Sequence, residues 1–190
     1  MQFGYRQAAI ALGALFIAAP TLAQEVYVLD TNHTVPTFEV THLGYSQQRG
    51  SFSITSGKVT LDRAAKKGAI DVAISSPSLV TTPALLPVIK GDDFLNVEKF
   101  PTMTYKSTEV LFDGDNVTGT TGEFTLLGVT RPLALKVTTF KCGPHPFSKK
   151  PMCGGEATGT FKRSDFGMKA ALGAASDDIK LIIAFEGGKE

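Results

Sequence analysis

The stretch EFTLLGVTRPLALKV, residues 123–137, has the pattern of two apolar strands joined by a short turn. Phe124 and Leu126 lie on one face of the first strand because side chains alternate between faces with a period of two. After the turn, Leu133 and Leu135 repeat this alternation. A two-stranded hairpin alone is at best marginally stable in water. The apolar faces of this hairpin must therefore pack against, or enclose, something supplied by the rest of the chain.

The same alternation recurs along most of the chain after residue 24. It is present in the segments VYVL, TFEVTH, GSFSITSGKVTL, AIDVAIS, TMTYKSTEVLF, EATGTFKRSDF and DIKLIIAFEG, which are separated by turns rich in Gly, Asp and Asn. About eight strands in one domain predict an all-β fold with an antiparallel sheet, and closure into a barrel leaves no edge strand exposed. The interior of an eight-stranded barrel is just wide enough to be filled by side chains or to hold one small ligand.

One segment, TTPALLPVIKGDDFLNVEKFP at residues 81–101, breaks the alternation. The spacing of Leu85 and Ile89 predicts one short helical crossover, with Thr82 as its N-cap. Pro87 argues against a long regular helix, because proline lacks the N–H that a helix interior requires.

The N-terminus is typical of an export signal. It carries one basic residue and no acid, then an apolar run of about a dozen residues, which is shorter than the roughly 20 that span a bilayer. Small residues precede the expected cut. We predict a signal peptide over residues 1–23, cleaved between Ala23 and Gln24, and a barrel domain over residues 24–190. The alternative is an uncleaved membrane anchor.

Charge excludes some partners. Residues 1–23 contain one arginine and no acid, so their removal lowers the formal net charge from +1 to 0. No basic excess remains to attract nucleic acid or anionic lipid. No segment after Ala23 is long and apolar enough to cross a membrane. We expect an exported, soluble protein that neither binds nucleic acid nor inserts stably into a membrane, and the sequence leaves open a possible homodimer.

Two cysteines, Cys142 and Cys153, flank a loop rich in Pro, Gly and Lys. In an oxidising compartment two cysteines this close in sequence predict a structural disulfide. A metal pair with His145 and a redox dithiol are the alternatives. The spacing matches neither C-x-x-C nor a usual zinc pattern.

Enzyme signatures are mostly absent from the sequence. It contains no G-x-S-x-G turn, no phosphate-binding glycine loop and no His-Glu-x-x-His motif. His33, His42 and Asp30 could gather a metal, but two imidazoles and one carboxylate without regular spacing are weak evidence, and polar groups at strand ends are the simpler interpretation. We therefore predict no catalytic residue, metal or cofactor.

Two arginines, Arg131 and Arg163, lie at the ends of apolar strands. The simpler interpretation pairs them with a carboxylate such as Asp165, and the alternative is contact with the polar head of a ligand. Eleven phenylalanines and no tryptophan remain after residue 23. Rings without hydrogen-bonding groups suit the wall of an apolar cavity. Composition alone leaves both a solid core and a cavity open.

Taken in order, the segments YVLDTNHTVPTFEVTHLG, RGSF, DDFLNVEKFPTMTYKS, GEFTLLGVTRPLAL and ATGTFKRSDFGM resemble the YceI-like family of bacterial exported, polyisoprenoid-binding proteins. The resemblance covers essentially all of residues 25–187. It implies an extended eight-stranded antiparallel, lipocalin-like barrel with a short helix beside its mouth. It also implies a long apolar pocket for an isoprenoid or similar lipid, and a periplasmic location.

The predicted function is a periplasmic binding or carrier protein that holds one long apolar lipid, polyisoprenoid or isoprenoid-quinone-like, inside the barrel. The alternation argument selects these wall residues: Phe38, Phe52, Ile74, Phe94, Phe100, Met103, Phe124, Leu126, Leu133, Leu135, Phe161, Phe166 and Ile183. The first alternative is an enzyme acting on a lipid or quinone with His33 and His42. The second is a stress-related structural module whose filled barrel holds no ligand.

Overall fold

The computed structural model describes residues 24–190, so the predicted signal peptide, residues 1–23, lies outside the described residues. The strands, numbered in chain order, are β1 Glu25–Leu29, β2 Val35–His42, β3 Ser46–Ser51, β4 Ile54–Asp62, β5 Lys67–Ser75, β6 Thr102–Asp113, β7 Asn116–Leu126, β8 Val129–Pro144, β9 Pro151–Lys162 and β10 Asp178–Lys189. One α-helix, α1, spans Leu86–Lys90, and 3-10 turns span Ser76–Ser78 and Arg163–Phe166.

Eight of these strands form a closed antiparallel barrel in the order β1-β4-β5-β6-β7-β8-β9-β10. The ring closes where β1 pairs with the end of β10, from Tyr27 opposite Lys189 to Leu29 opposite Gly187. The predicted eight-stranded antiparallel barrel is therefore confirmed. Closure removes the free edges that an open sheet would present to other chains.

The hairpin β2–β3 lengthens the wall at one end of this ring. Strand β10 pairs with β1 through its last residues and with β2 through Lys180–Ala184. Strands β1 and β2 therefore follow one another along the same edge of β10. Strand β3 pairs with β2 along its length, and its outer edge makes one isolated bridge, between Ser51 and Val80.

The backbone of the turn between β7 and β8 explains why a glycine lies at its centre. Leu127 and Gly128 have φ angles of 53° and 73°, the left-handed pair that a tight two-residue hairpin requires. Arg131 is exposed and donates from Nη1 to the Thr130 carbonyl at 3.0 Å. The expected carboxylate partner of Arg131 is not observed among the ion pairs of residues 24–190.

The helical crossover is confirmed, but its predicted start is wrong. Leu85, not Thr82, is the N-cap of α1, and no side chain caps the helix. The Thr82 carbonyl instead accepts from the backbone N–H groups of Leu85 and Leu86, which forms a turn before the helix. Pro87 lies in the first turn, where its missing N–H costs nothing. No helix within residues 24–190 is long and apolar enough to cross a membrane.

Candidate functional site

A cavity of about 400 Å³ runs inside the barrel. This volume lies within the range of small-molecule pockets, about 300–1,000 Å³. The cavity is lined by the inward faces of the strands. Val137, Ala157 and Ile183 show the geometry, because they are direct cross-strand partners on β8, β9 and β10 and all three line it. The interior side chains therefore leave an empty space and do not fill the barrel.

The cavity is elongated along the strands. On β8, lining residues extend from Leu133 to Phe140. At about 3.3 Å per residue these positions span about 23 Å of strand. A long, narrow, apolar space of this kind fits an extended chain better than a compact molecule.

One end of the cavity, which we call the base, is closed. Its lining comes from Tyr27, Leu61, Val117, Phe140 and Cys153, at the ends of their strands nearest the β8–β9 loop. Four of these five side chains are buried, and Phe140 is half-buried. They form a second apolar cluster, separate from the main one around Phe124.

A charged cluster fastens the barrel below the base. The Glu25 carboxylate on β1 accepts from Lys189 Nζ on β10 at 2.8 Å and from Arg63 Nε, after β4, at 2.9 Å. The bond from Lys189, and then the bond from Arg63, lowers the pKa of Glu25 from 4.5 to about 2. Because β1 and β10 close the ring, this ion pair joins the two strands at the closure.

The Cys142–Cys153 disulfide is confirmed and lies at this same end. The two cysteines are directly opposite one another on β8 and β9, just before the loop that connects these strands. Arg63 Nη2 lies 3.2 Å from Cys142 Sγ, so the guanidinium covers the disulfide. The bridge therefore fixes the hairpin that forms part of the base.

The other end of the cavity, which we call the mouth, reaches the surface. Four lining residues are exposed, and all four lie there: His42, Arg49, Val88 and Ala171. They belong to the β2–β3 hairpin, to α1 and to the loop before β10. Residues on three separate segments therefore define where a ligand could enter.

Arg163 holds one side of the mouth in place. Its side chain is 2% exposed and donates to the backbone carbonyls of four residues, which are Met168, Ala170, Ala175 and Ser176, at 2.7 to 3.1 Å. Burial lowers the pKa of the Arg163 guanidinium. These four acceptors belong to one loop, residues 168–176, whose members line the mouth.

The expected pairing of Arg163 with Asp165 is therefore wrong. Asp165 is exposed and makes no ion pair with Arg163 within 4.0 Å. Asp177 instead accepts from the backbone N–H and the hydroxyl of Ser164, and these bonds lower its pKa. Within residues 24–190, no carboxylate forms an ion pair with Arg163. It satisfies carbonyl groups that the loop leaves without strand partners.

Polar groups in the cavity wall are satisfied by the protein itself. Tyr105 Oη donates toward Thr120 Oγ1 and the Leu133 carbonyl, each at 3.3 Å. Thr120 Oγ1 in turn donates to the Glu109 carbonyl at 2.7 Å. Burial raises the pKa of the Tyr105 phenol. The hydroxyl groups of the wall are thus committed to internal hydrogen bonds, and the surface offered to a ligand is almost wholly apolar.

The two histidines considered for chemistry occupy different surroundings. His33 Nδ1 lies 2.6 Å from Asp30 Oδ2, which raises the pKa of His33, but His33 does not line the cavity. His42 does line the cavity, at the mouth, where its backbone forms an isolated antiparallel β-bridge with Ala175. Across residues 24–190, no group of three or more His, Cys, Asp or Glu side chains could hold a metal ion.

Most predicted wall residues lie where the sequence suggested. Those that line the cavity are Phe38, Phe52, Ile74, Phe94, Met103, Phe124, Leu126, Leu133, Leu135, Phe161 and Ile183. Whether they contact a lipid stays a prediction.

Phe100 and Phe166 do not line the cavity. Phe166 lies in the 3-10 turn after β9, and its buried ring packs 5.5 Å from Phe124 and 5.3 Å from Phe161, measured between centroids. It therefore supports the wall from behind. Phe100 lies in the turn before β6 beside Gly128, where a Cβ added to the glycine would be 3.1 Å from Phe100 Cε1.

The sequence prediction missed most of the base and much of the mouth. In the alternating segment VYVL, Tyr27 and Leu29 lie on one face of the strand, and Val26 and Val28 lie on the other. This alternation could have identified Tyr27 as inward-facing. The mouth residues Ala171, Ala174 and Ala175 lie in a loop without periodicity. No pattern in the sequence marks them.

Comparison with known proteins identifies relatives of this architecture. A sequence model described as the YceI-like domain matches residues 27–187. The chain is 38% identical over 185 residues to a UPF0312 protein of Pseudomonas aeruginosa strain LESB58, with 95% of each chain covered.

Two solved structures show the same fold. The crystal structure of the Campylobacter jejuni YCEI protein is 26% identical, with a TM-score of 0.67, and the match covers 79% of this chain and 90% of that one. A domain from Saccharophagus degradans, described as polyisoprenoid binding and implicated in plant cell wall breakdown, is 12% identical with a TM-score of 0.57. That match covers 86% of this chain and 98% of the domain.

Proposed function

This chain belongs to the family of YceI-like domains, and on that premise we propose that it binds one long apolar lipid, a polyisoprenoid or an isoprenoid-quinone-like molecule, inside its barrel. The observation that carries the proposal is the elongated apolar cavity with a closed base and an open mouth. The polyisoprenoid-binding description of the Saccharophagus domain supports the ligand class, because the two chains share this fold.

The energetics favour a hydrocarbon chain. Each CH₂ group buried from water contributes roughly 0.8 kcal/mol, so a chain of several isoprene units gains binding free energy without polar contacts. The internally bonded hydroxyls of Tyr105 and Thr120 offer such a chain no competing partner. Selectivity then rests on the length and shape of the ligand, and the head group lies near the mouth.

We place the protein in the periplasm as a carrier, after cleavage between Ala23 and Gln24. The N-terminal sequence pattern and the Cys142–Cys153 disulfide, which suits an oxidising compartment, support this location. A carrier in an aqueous space must shield its lipid from water, and a barrel with one closed end provides that shield.

The first experiment is native mass spectrometry of the protein purified from its own periplasm. We expect a bound, non-covalent lipid whose mass identifies an isoprenoid. Bare protein at every charge state would contradict the carrier function and favour the ligand-free structural module. Turnover of the lipid that disappears on His42→Ala, with lipid binding retained, would instead favour the enzyme.

A pair of variants tests the site. Leu133→Glu places a carboxylate in the cavity wall, whereas Ala134→Glu places one on the exposed outer face of the same strand. We expect Leu133→Glu to abolish retention of lipid and Ala134→Glu to leave it unchanged. Equal effects would contradict the assignment of the inward face.

A further inference from the structure

Three chain segments at the mouth end of the barrel form what we call the rim: Leu43–Gln48, Val80–Ile89 and Ala170–Ser176. Each contributes to the cavity lining: Gln48 from the first, Thr81, Leu85, Val88 and Ile89 from the second, and Ala171, Ala174 and Ala175 from the third. Hydrogen bonds connect them through the β2–β3 hairpin. Leu43 N donates to the Ala174 carbonyl at 2.7 Å, and Val80 exchanges two backbone hydrogen bonds with Ser51 at 2.9 and 3.0 Å. The rim is therefore a continuous surface around the entrance.

Exposed apolar side chains are concentrated on the rim. Five of the large apolar residues exposed within residues 24–190 belong to it, namely Leu43, Tyr45, Val80, Val88 and Leu172. Tyr45, at the tip of the hairpin, is 93% exposed. Contiguous exposed apolar surface on a soluble protein marks an interaction site.

The rim also carries no charge. Its three segments, LGYSQQ, VTTPALLPVI and AALGAAS, contain no Lys, Arg, Asp or Glu, although 19% of the whole chain is charged. Charges of both signs flank it in sequence, with Lys90 close to Asp92. Arg49, which follows the first segment, is paired with Glu39 Oε1 at 2.6 Å. The three rim segments therefore offer a charged partner no charged side chain, and Arg49 beside them at the mouth is already paired.

An uncharged surface with exposed Leu, Val and Tyr matches one kind of partner. Tyrosine is favoured at the boundary between lipid head groups and acyl chains, because one end of its side chain is apolar and the other is polar. Leucine is common on the inserted apolar face of segments that lie at this boundary. Binding at that boundary scales with the apolar area inserted, and attraction to anionic lipids adds to it only when basic residues are present.

We propose that the rim is a docking surface for a neutral phospholipid layer, into which its apolar side chains insert shallowly. This inference rests on the proposed function, because a long apolar cargo is strongly disfavoured in water. Docking the rim lets the cargo pass between membrane and cavity without that exposure. The mouth lies within the docked surface, and the closed base faces away from the membrane.

Vesicle flotation tests the docking surface. The probes are phosphatidylcholine vesicles and matched vesicles that also contain phosphatidylglycerol. The test variant combines Leu43→Asp with Tyr45→Asp. The control is Phe147→Asp, which removes an equally prominent side chain, 90% exposed, from the β8–β9 loop at the base end.

We expect wild-type protein to float equally with both kinds of vesicle, at low and at physiological salt. The double variant should lose about tenfold or more in partition coefficient, since it withdraws two apolar side chains from the lipid boundary. The control should float like wild type. Absence of wild-type flotation, equal loss in control and test variants, or a salt-sensitive preference for phosphatidylglycerol would each overturn the proposal.

Two further measurements distinguish membrane docking from self-association and from lipid binding in the cavity. If sedimentation velocity shows a wild-type dimer that the double variant converts to monomer, the rim is covered by a second copy and the docking proposal is overturned. Retention of geranylgeraniol without vesicles, followed by native mass spectrometry, reports on the cavity alone. Flotation without retention would overturn the proposed function and leave the docking surface standing, and retention without flotation would do the reverse.

Discussion

Ala157 offers the sharpest test of the cavity, because a larger side chain there divides the cavity without adding charge. Ala157 is buried at the middle of β9, opposite Val137 on one side and Ile183 on the other, and all three line the cavity. Ala157→Phe therefore directs a ring into the space between the mouth and the base. A ligand chain then reaches only the half nearest the mouth.

The magnitude follows from the part of the chain that is excluded. If the ring keeps as few as four CH₂ groups out of the base, the loss is about 3 kcal/mol, or roughly 200-fold in Kd. Short isoprenols that fit above the ring should bind with unchanged affinity. The variant should thus change the chain-length preference, which a general loss of folding would not do.

The assay measures retention of isoprenols of graded length, from geraniol to solanesol, by native mass spectrometry. Ala184→Phe is the matched control, since Ala184 follows Ile183 on β10 and is exposed on the outer face. Overpacking costs about 1–3 kcal/mol where no space exists, so thermal unfolding of both variants is recorded. Unchanged long-chain binding by a folded Ala157→Phe protein would refute the assignment of the cavity.

Three further perturbations test the fastenings of the barrel. Glu25→Gln should lower the free energy of unfolding by about 1–2 kcal/mol above pH 4.5, after allowance for solvent screening. The difference from wild type should vanish toward pH 2, because the wild-type carboxyl also becomes protonated there. Urea unfolding measured across this pH range tests the prediction. Arg163→Met should cost about 2–4 kcal/mol because it leaves buried carbonyls unpaired, and hydrogen exchange should accelerate first at residues 168–176. Replacement of Cys142 and Cys153 by Ser should cost about 3 kcal/mol of unfolding free energy, from loss of loop closure, in urea titrations.

Each of these has a contradicting result. A Glu25→Gln effect that is constant across pH would show that the carboxylate charge is irrelevant. Uniform acceleration of exchange in Arg163→Met would mean that the arginine supports the whole barrel and not the mouth loop. An unchanged urea midpoint without the disulfide would show that the β8–β9 loop is already restricted by its own contacts.

The barrel wall was predictable because it is regular. Alternation with a period of two decides which face of a strand is inward, so Phe124, Leu133 and Ile183 could be assigned from letters alone. Alternation predicts the direction of a side chain only within a strand. Phe100 and Phe166 lie in turns, where the direction of a side chain depends on the path of the backbone and not on parity.

The ends of the cavity could not be predicted, because they depend on which residues of different strands lie at the same height. That height is set by strand tilt and register, which a sequence does not display. Arg163 shows the same limit in another form. A basic residue beside an apolar strand suggests a carboxylate partner. The partners of Arg163 are instead backbone carbonyls of a loop that comes close to it only in the folded chain.

The outer edge of β3 makes only one isolated β-bridge within residues 24–190, so the β2–β3 hairpin is held there by fewer hydrogen bonds than the strands of the closed ring. Separating β6 from β7 breaks a long ladder of paired residues. Moving the β2–β3 hairpin away from the segment after β5 breaks the two backbone bonds between Ser51 and Val80, with a few side-chain bonds beside them. Because fewer hydrogen bonds hold the hairpin there than hold neighbouring strands of the ring, we expect local opening at the entrance to cost less free energy than opening of the ring.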